Sequence, residues 1–215
     1  MNHSARRAGA LQTTQARALP RCGRIADDVA RDGLALERDF LLGATIEALA
    51  RRLRRRAAAG QLRPAGIGAA GNLRIAPDER GDRISWIEPP LAHAEAELFS
   101  TLESLRLELN RTLGLGAFSL ECHYALYPPG ARYVRHLDRS ARGQERVISF
   151  ALYLNRDWQA SDGGALVLHR DPPLTVLPDA GTLLVFVSER FEHEVRPAVR
   201  DRLSVAGWFS RRGSP

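Results

Sequence analysis

Lysine is absent from this sequence of 215 residues, and all 31 of its basic residues are arginine. The formal net charge of +6 would by itself suggest a nucleic acid or an acidic protein surface as a partner. Exclusive use of arginine is, however, more typical of biased codon usage than of selection for phosphate contacts. Four arginines lie within residues 1–22, which contain no acidic residue. The composition therefore indicates a basic tail on a nearly neutral domain and argues against a nucleic-acid partner.

Cysteines and long apolar runs are also scarce. The two cysteines, Cys22 and Cys122, form no CxxC pair and no disulfide framework, which excludes a cysteine zinc site and favours a reducing cytoplasm. No segment approaches the ~20 apolar residues of a membrane span, and no apolar stretch follows the N-terminal arginines as in a secretory signal. We therefore expect a cytoplasmic protein with no membrane partner. A mitochondrial transit peptide is the alternative interpretation of the acid-free N-terminus.

The part of the chain that follows the tail has the pattern of helices. Residues 25–31 predict a short helix ended by Gly33, and residues 34–36 predict a brief strand. Two longer amphipathic helices are predicted by apolar residues at helical spacing. These positions are Leu42, Ile46, Leu49 and Leu53 in the first helix and Leu98, Leu102, Leu105 and Leu109 in the second. Gly114 lies just beyond the second helix, where a C-cap glycine is expected.

The first of the two longer helices continues into a run of arginines. Five arginines lie within residues 51–56, mostly opposite the apolar face. Such a run is typical of a solvated helix face, with RNA binding as the alternative. Residues 60–81 are rich in Gly, Ala and Pro and predict a long loop before a strand at residues 83–87. Long loops in compact domains often carry function, so this loop is a candidate functional segment.

From residue 118 the chain changes to short strands separated by turns that are rich in Pro, Asp and Gly. Such strands suggest a sandwich or jelly roll, and helices that precede strands suggest an α+β fold in which the helices support one sheet. We expect a flexible tail over residues 1–22 and a single domain over residues 23–215, with helical support in residues 23–114 and a jelly-roll core in residues 118–210. The predicted strands are 118–126, 131–136, 146–154, 164–169, 173–177, 181–187, 192–196 and 202–209.

Three residues of the strand-rich part form a candidate metal site. His136 and Asp138 are two residues apart at a strand end, so their side chains point to the same side. His193 arrives later from another predicted strand. Two imidazoles and one carboxylate leave three metal positions open, as in non-haem Fe(II) oxygenases, whereas a structural zinc site would add a fourth protein ligand. His123 is the rival ligand, for which we favour a packing role.

An HxD pair alone is a weak signal, because it is frequent by chance. Arg202 strengthens it, since it lies downstream of His193 at the start of an apolar strand. A guanidinium that points into an apolar barrel is costly unless a carboxylate meets it. A dicarboxylate cosubstrate would supply that carboxylate.

The C-terminal half resembles the prolyl 4-hydroxylase-type branch of the 2-oxoglutarate/Fe(II) oxygenases, in particular the hypoxia-inducible-factor prolyl hydroxylases and their bacterial relatives. An upstream stretch, RGDRISWI at residues 80–87, is similar to the strand that follows the mobile substrate-covering loop of that family. The other matching segments are YPPG at 127–130, YVRHLD at 133–138, YLNRDW at 153–158, Gly163-Gly164, and HEV at 193–195 together with Arg202.

The resemblance implies a double-stranded β-helix, or jelly-roll, core and a role for each matching residue. The implied iron ligands are His136, Asp138 and His193. Arg202 and Tyr153 would bind the distal carboxylate of 2-oxoglutarate, and Tyr127 would line that pocket. The positions implied to lie near the substrate are Tyr133, Arg146 and Trp208. The chain departs from the family in two places. Ala206 stands where threonine is frequent, which puts a water-ordering role there in doubt. The turn between Tyr127 and Tyr133 is also one residue shorter than in the animal enzymes.

The resemblance further implies a dioxygenase that uses Fe(II), 2-oxoglutarate and O2, with ascorbate as a further candidate cofactor. The implied substrate is a prolyl residue of a protein, and bacterial relatives that act on elongation factor Tu make it the expected target. Three alternatives stay open. They are a small-molecule hydroxylase for free proline or a metabolite, a catalytically silent binding protein of cupin-like shape, and a basic RNA-associated protein that uses residues 51–56 and the tail.

Overall fold

The computed structural model describes residues 21–68, 74–138 and 144–212. Its helices are α1 (21–32), α2 (Gly43–Ala58) and α3 (His93–Leu113), with a short 3-10 turn at Ala160–Asp162. Its strands are β1 (Leu34–Glu37), β2 (Arg63–Pro64), β3 (Arg83–Trp86), β4 (Ser119–Tyr127), β5 (Tyr133–His136), β6 (Gln144–Tyr153), β7 (Leu166–Leu168), β8 (Leu174–Val176), β9 (Leu183–Val187), β10 (His193–Val195) and β11 (Arg202–Arg212).

Two antiparallel sheets form the body of the domain. The larger has the strand order β1-β9-β6-β11-β4-β3-β2, and the smaller has the order β5-β10-β7-β8. Strand β9 shows how the layers are organised, because alternate side chains point to opposite faces. Leu183 and Val185 belong to the core shared with the helices, whereas Leu184 and Phe186 belong to the core shared with the smaller sheet. The α+β jelly-roll fold is therefore confirmed.

All eight strands predicted in the C-terminal part are present, but the N-terminal part contributes more than helices. Strands β1, β2 and β3 belong to the larger sheet, where β1 pairs with β9 and β3 pairs with β4. The segment 60–81, predicted as a loop, contains β2 and a bridge between Ile67 and Arg74, and its residues 69–73 lie outside the described residues. The division into helical support and strand core was therefore too simple.

Helices α2 and α3 pack on the larger sheet through the predicted leucine stripes. Leu49, Leu53 and all four predicted leucines of α3 are fully buried. Leu42 is the exception: it is the N-cap residue of α2 and is 56% exposed, because it precedes the first helical turn. Gly114 ends α3 in the left-handed conformation, with a φ of 63°, and its N–H donates to Asn110 O. These residues confirm the second helix and its cap.

Part of the arginine run faces inward rather than into solvent. Arg52 and Arg56 of α2 form ion pairs of 2.6 and 3.1 Å with Glu95 of α3, which is fully buried. The same carboxylate accepts the Tyr124 hydroxyl at 3.1 Å and the Ala92 N–H at 2.7 Å. These two arginines therefore fasten α2 to α3 and β4, while Arg51, Arg54 and Arg55 are exposed, as predicted for a solvated helix face.

The predicted boundary between tail and domain lies too far along the chain. Arg21 and Cys22 already belong to α1, and Cys22 is buried in the core beside Ile25 and Leu109. The rest of the predicted tail, residues 1–20, lies outside the described residues. Among the helices that the structure describes, none has the length and apolar character needed to cross a membrane.

Candidate active site

The three predicted metal ligands lie together at the edge of the smaller sheet. His136 ends β5 and is paired in register with His193 at the start of β10. Asp138 follows β5 immediately. Its carboxylate oxygens lie 3.9 Å from His136 Nε2 and 3.7 Å from His193 Nε2. One ligand atom from each residue lies within 4.8 Å of the others, so all three can reach a single ion.

Backbone carbonyls orient both imidazoles. His136 Nδ1 lies 2.8 Å from Val134 O, and His193 Nδ1 lies 3.2 Å from Phe191 O. A carbonyl oxygen only accepts, so each Nδ1 carries the proton and each Nε2 keeps its lone pair. Burial, together with the neighbouring His193, lowers the pKa of His136 to about 3. His136 is therefore neutral at neutral pH, which is the form that binds a metal.

Asp138 is held by a chain of two serines. Ser149 Oγ donates to Asp138 Oδ2 at 2.7 Å and lies 2.8 Å from Ser188 Oγ. Burial alone would raise the pKa of Asp138, but His193, His136 and the Ser149 hydroxyl outweigh it, so that pKa is below its usual value. Asp138 therefore stays ionised. The side chain offers one fixed carboxylate oxygen to a metal.

Arg202 and Tyr153 form a buried polar pair without an acidic partner. Arg202 is 2% exposed and Tyr153 is fully buried. Arg202 Nε donates to Gly164 O at 2.8 Å and Nη1 lies 3.4 Å from Ser204 Oγ, and no described carboxylate pairs with the guanidinium. Among the described residues the Tyr153 hydroxyl has no hydrogen-bond partner. Such groups are costly when unmatched, so they indicate an anionic ligand with carboxylate geometry.

One cleft is lined by the three candidate metal ligands and by Arg202. Tyr127 and Tyr133 line it as predicted, and the Tyr133 ring stacks on His136 with centroids 3.5 Å apart. Trp208 also lines the cleft. Arg146 does not. It lies over the Trp208 ring at 3.5 Å and pairs with Glu121 at 3.0 Å. The structure thus brings seven of the nine predicted site residues to the cleft lining; Arg146 lies beside the cleft, and Tyr153, which packs on Arg202, lies outside the lining.

Sequence reasoning missed several lining residues. Arg80 and Asp82, which both line the cleft, form a bidentate ion pair with hydrogen bonds of 2.8 and 3.2 Å. The Arg80 guanidinium carbon lies 4.6 Å from the centre of the Tyr133 ring. The RGDRISWI stretch marked this segment without indicating that both charges face the site. Ser149 could have been found from strand alternation with Tyr153 on β6. His123, for which packing was favoured, lines the cleft as well.

The donor set suits Fe(II). Two imidazole nitrogens and one carboxylate oxygen make up the site, and no fourth ligand belongs to the cluster among the residues that the structure describes. Such a facial set leaves open positions for further ligands, in contrast to a closed structural zinc site. Arg202 lines the same cleft without a carboxylate partner among the described residues, and together with the adjoining Tyr153 it suits the far carboxylate of a dicarboxylate that also reaches the ion. The residues present therefore fit iron with 2-oxoglutarate.

Comparisons with known proteins agree with this arrangement. A sequence model of the "2OG-Fe(II) oxygenase superfamily" matches residues 122–210. A Pseudomonas putida prolyl-4-hydroxylase structure is similar over 89% of this chain and 100% of its own, with 43% identity and a TM-score of 0.79. A Trichoplax adhaerens prolyl hydroxylase, solved with a peptide fragment of the hypoxia-inducible factor oxygen degradation domain, is similar over 91% of both chains, with 26% identity and a TM-score of 0.80.

Curated sequences give a consistent result over a shorter stretch. Human Egl nine homolog 1 is 34% identical over 142 residues, which is 61% of this chain and 33% of the human protein. The chain thus spans about a third of the length of that relative.

Proposed function

Because the chain belongs to the 2-oxoglutarate/Fe(II) oxygenase superfamily, we propose that it hydroxylates a prolyl residue of a protein substrate. When bound, iron, 2-oxoglutarate and O2 supply an oxidation in which one oxygen atom enters a substrate C–H bond and the other enters succinate, with loss of CO2. The single observation that carries the proposal is Arg202, which is buried without a carboxylate partner among the described residues, packs on Tyr153, and lines the same cleft as the His136, Asp138 and His193 cluster.

In this proposal the residues of the cleft divide into two groups. His136, Asp138 and His193 hold the iron through atoms that already face one another. Arg202 meets the distal carboxylate of 2-oxoglutarate with its planar fork, and the Tyr153 hydroxyl donates to the same group. Tyr127 closes the pocket, since its ring lies 5.1 Å from the Arg202 guanidinium carbon. Burial of Arg202 and Tyr153 keeps water away from the bound carboxylate, which strengthens its hydrogen bonds.

The charges of the cleft favour a prolyl residue within a chain over free proline. Free proline carries a carboxylate and an ammonium group, and each would need an opposite charge when buried. Among the described lining residues, Arg80 is already neutralised by Asp82, and Arg202 is assigned to 2-oxoglutarate. The aromatic walls formed by Tyr133 and Trp208 suit an apolar pyrrolidine ring. Neutral peptide groups on both sides of the proline would meet no unpaired charge.

Elongation factor Tu is the target that we propose, on the basis of the resemblance to bacterial enzymes. The test is anaerobic purification with Fe(II), followed by aerobic incubation with 2-oxoglutarate and either elongation factor Tu or free L-proline. Succinate would be assayed, and mass spectrometry would locate the gain of one oxygen atom. Oxygen on a prolyl residue of the protein supports the proposal. If only free proline gains an oxygen atom, the proposed protein substrate is wrong. If neither compound supports succinate formation, the proposed activity is wrong.

Two further expectations stay predictions. A cytoplasmic location rests on cysteine usage. Ascorbate as a cofactor rests on the family resemblance and would act by keeping the iron reduced. A comparison of turnover with and without ascorbate over many cycles tests the second expectation.

A further inference from the structure

His123 has no role in the site described so far, although it lines the same cleft. It lies on β4 and is 1% exposed, and neither ring nitrogen has a hydrogen-bond partner among the described residues. Its ring packs against Trp86 with centroids 5.0 Å apart and against Trp208 with centroids 5.5 Å apart. A buried imidazole normally has its nitrogens bonded. The partner of His123 must therefore come from whatever fills the cleft.

The position of His123 along the cleft separates it from the carboxylate pocket. On β11, Arg202, Ser204, Ala206 and Trp208 all line the cleft, as alternate residues of a strand do. His123 is paired in register with Ala206, four residues from Arg202, which corresponds to ~13 Å along a strand. Trp86, which is paired in register with His123 on β3, is 41% exposed. His123 therefore lies away from the Arg202 end of the cleft and next to an exposed side chain.

The surroundings of His123 indicate what kind of group it binds. Burial lowers the pKa of His123 to about 3, and the charges of Arg80 and Arg146 act in the same direction. The neutral ring offers one donor and one acceptor. Arg80 is paired with Asp82 and Arg146 with Glu121, so both nearby cations are already compensated. A neutral polar group is the matching partner, because Arg80 and Arg146 are paired and Asp138, the other charge that acts on His123, is assigned to the metal.

We propose that His123 is a specificity-determining residue that hydrogen-bonds a peptide amide group adjacent to the substrate proline. The small side chain of Ala206 opposite leaves the space that this amide occupies. The inference rests on the proposed function and deepens it, because it explains how the cleft distinguishes a prolyl residue in a chain from free proline. Trp86 and Trp208 flank the ring and hold it in place for this contact.

The role has a consequence for the empty protein as well as for binding. In the protein without substrate, the His123 ring nitrogens have no protein partner among the described residues, which costs stability, whereas an apolar side chain of similar shape needs none. Leucine and asparagine have nearly the same size and branching and differ in hydrogen-bonding ability. His123→Leu should therefore unfold at a higher temperature than His123→Asn when no ligand is present. The order should reverse for substrate binding, where Asn can bond the amide and Leu cannot.

The experiment uses the full chain loaded with Mn(II) and 2-oxoglutarate, so that binding is measured without turnover. The probes are N-acetyl-L-proline N-methylamide, which has neutral amides on both sides, and free L-proline, each titrated by tryptophan fluorescence. The proteins are the wild type, His123→Leu, His123→Asn and, as the control, His93→Leu at an exposed site. We expect His123→Leu to weaken capped-proline binding about tenfold, with Asn retaining most of it and 2-oxoglutarate affinity unchanged.

Several results would overturn the role. The proposed role of His123 is wrong if the Leu and Asn variants bind the capped proline with equal affinity. It is also wrong if the wild type binds free proline more tightly than the capped form. A parallel loss of 2-oxoglutarate affinity would assign His123 to the cosubstrate pocket. Failure of the proposed function is distinguishable, because it appears as absent hydroxylation of elongation factor Tu by the wild type. With elongation factor Tu as an active substrate, His123→Leu should raise KM about tenfold with little change in kcat.

Discussion

The guanidinium carbon of Arg202 lies 5.1 Å from the ring centre of Tyr153, and both side chains are buried without an acidic partner among the described residues. Arg202 comes from β11 and Tyr153 from the neighbouring β6. Because both groups can bind the same carboxylate, a bound ligand would compensate the buried charge of the Arg202 guanidinium. They also make the pocket specific for an anion before any metal is considered.

Arg202→Ala should weaken 2-oxoglutarate binding about a hundredfold, because charge-assisted hydrogen bonds to the carboxylate are lost. Calorimetry with the Mn(II) protein measures the dissociation constant directly. Arg196→Ala is a suitable control, since Arg196 is exposed and lies outside the cleft lining. If both variants bind 2-oxoglutarate as the wild type does, Arg202 is not the anchor.

Asp138→Ala and His136→Ala should each abolish turnover, because two remaining ligands hold Fe(II) too weakly. The measurement is succinate formation at saturating 2-oxoglutarate, together with the iron content after gel filtration. Glu192→Ala provides a control, because this carboxylate is next to His193 in sequence but pairs with Arg135 instead. Full activity of the Asp138→Ala protein would remove the metal-ligand assignment.

Ser149→Ala should lower metal affinity about tenfold without unfolding the protein, because the hydroxyl fixes the orientation of Asp138. Competition with a chelator of known affinity gives the dissociation constant of Mn(II). Ser161→Ala, at an exposed position in the 3-10 turn, should leave it unchanged. An unchanged Mn(II) affinity in Ser149→Ala would mean that Asp138 is oriented by other contacts.

Glu95→Ala should reduce the free energy of unfolding by about 3–5 kcal/mol, since Arg52 and Arg56 would lose a buried counter-charge. Glu103→Ala removes an ion pair with Arg106 in which the Glu103 side chain is 46% exposed, and it should cost less than about 1 kcal/mol. Denaturant unfolding of both variants checks the difference. Similar losses in the two proteins would contradict the structural role of Glu95.

Local periodicity predicted most of the elements correctly. The buried leucines of α2 and α3 follow from spacing, because spacing determines which side of an element is apolar, and the cap at Gly114 and the eight C-terminal strands follow from glycine and other turn residues. Spacing does not determine which element covers that side. The pairing of β1 with β9 and the burial of Cys22 depend on contacts between distant parts of the chain, and the sequence pattern does not contain them.

The site was predictable to a similar extent. Residues with a distinctive chemical type, such as His136 and Arg202, were identified because their chemistry has few uses inside a sheet. Ser149 was missed because serine is common in strands, and His123 was assigned a packing role, because the register with neighbouring strands that directs both into the cleft is not part of the sequence pattern. Arg146 was assigned to the substrate region, but its pairing with Glu121 keeps it beside Trp208, outside the lining.

The most direct test of the account follows the oxygen atom. The wild-type protein would be incubated with Fe(II), 2-oxoglutarate, elongation factor Tu and isotopically labelled O2, and both products would be analysed by mass spectrometry. The account predicts one labelled oxygen on a prolyl residue and one in succinate, in equal amounts. Succinate that forms without any labelled prolyl residue, or no succinate at all, would contradict it.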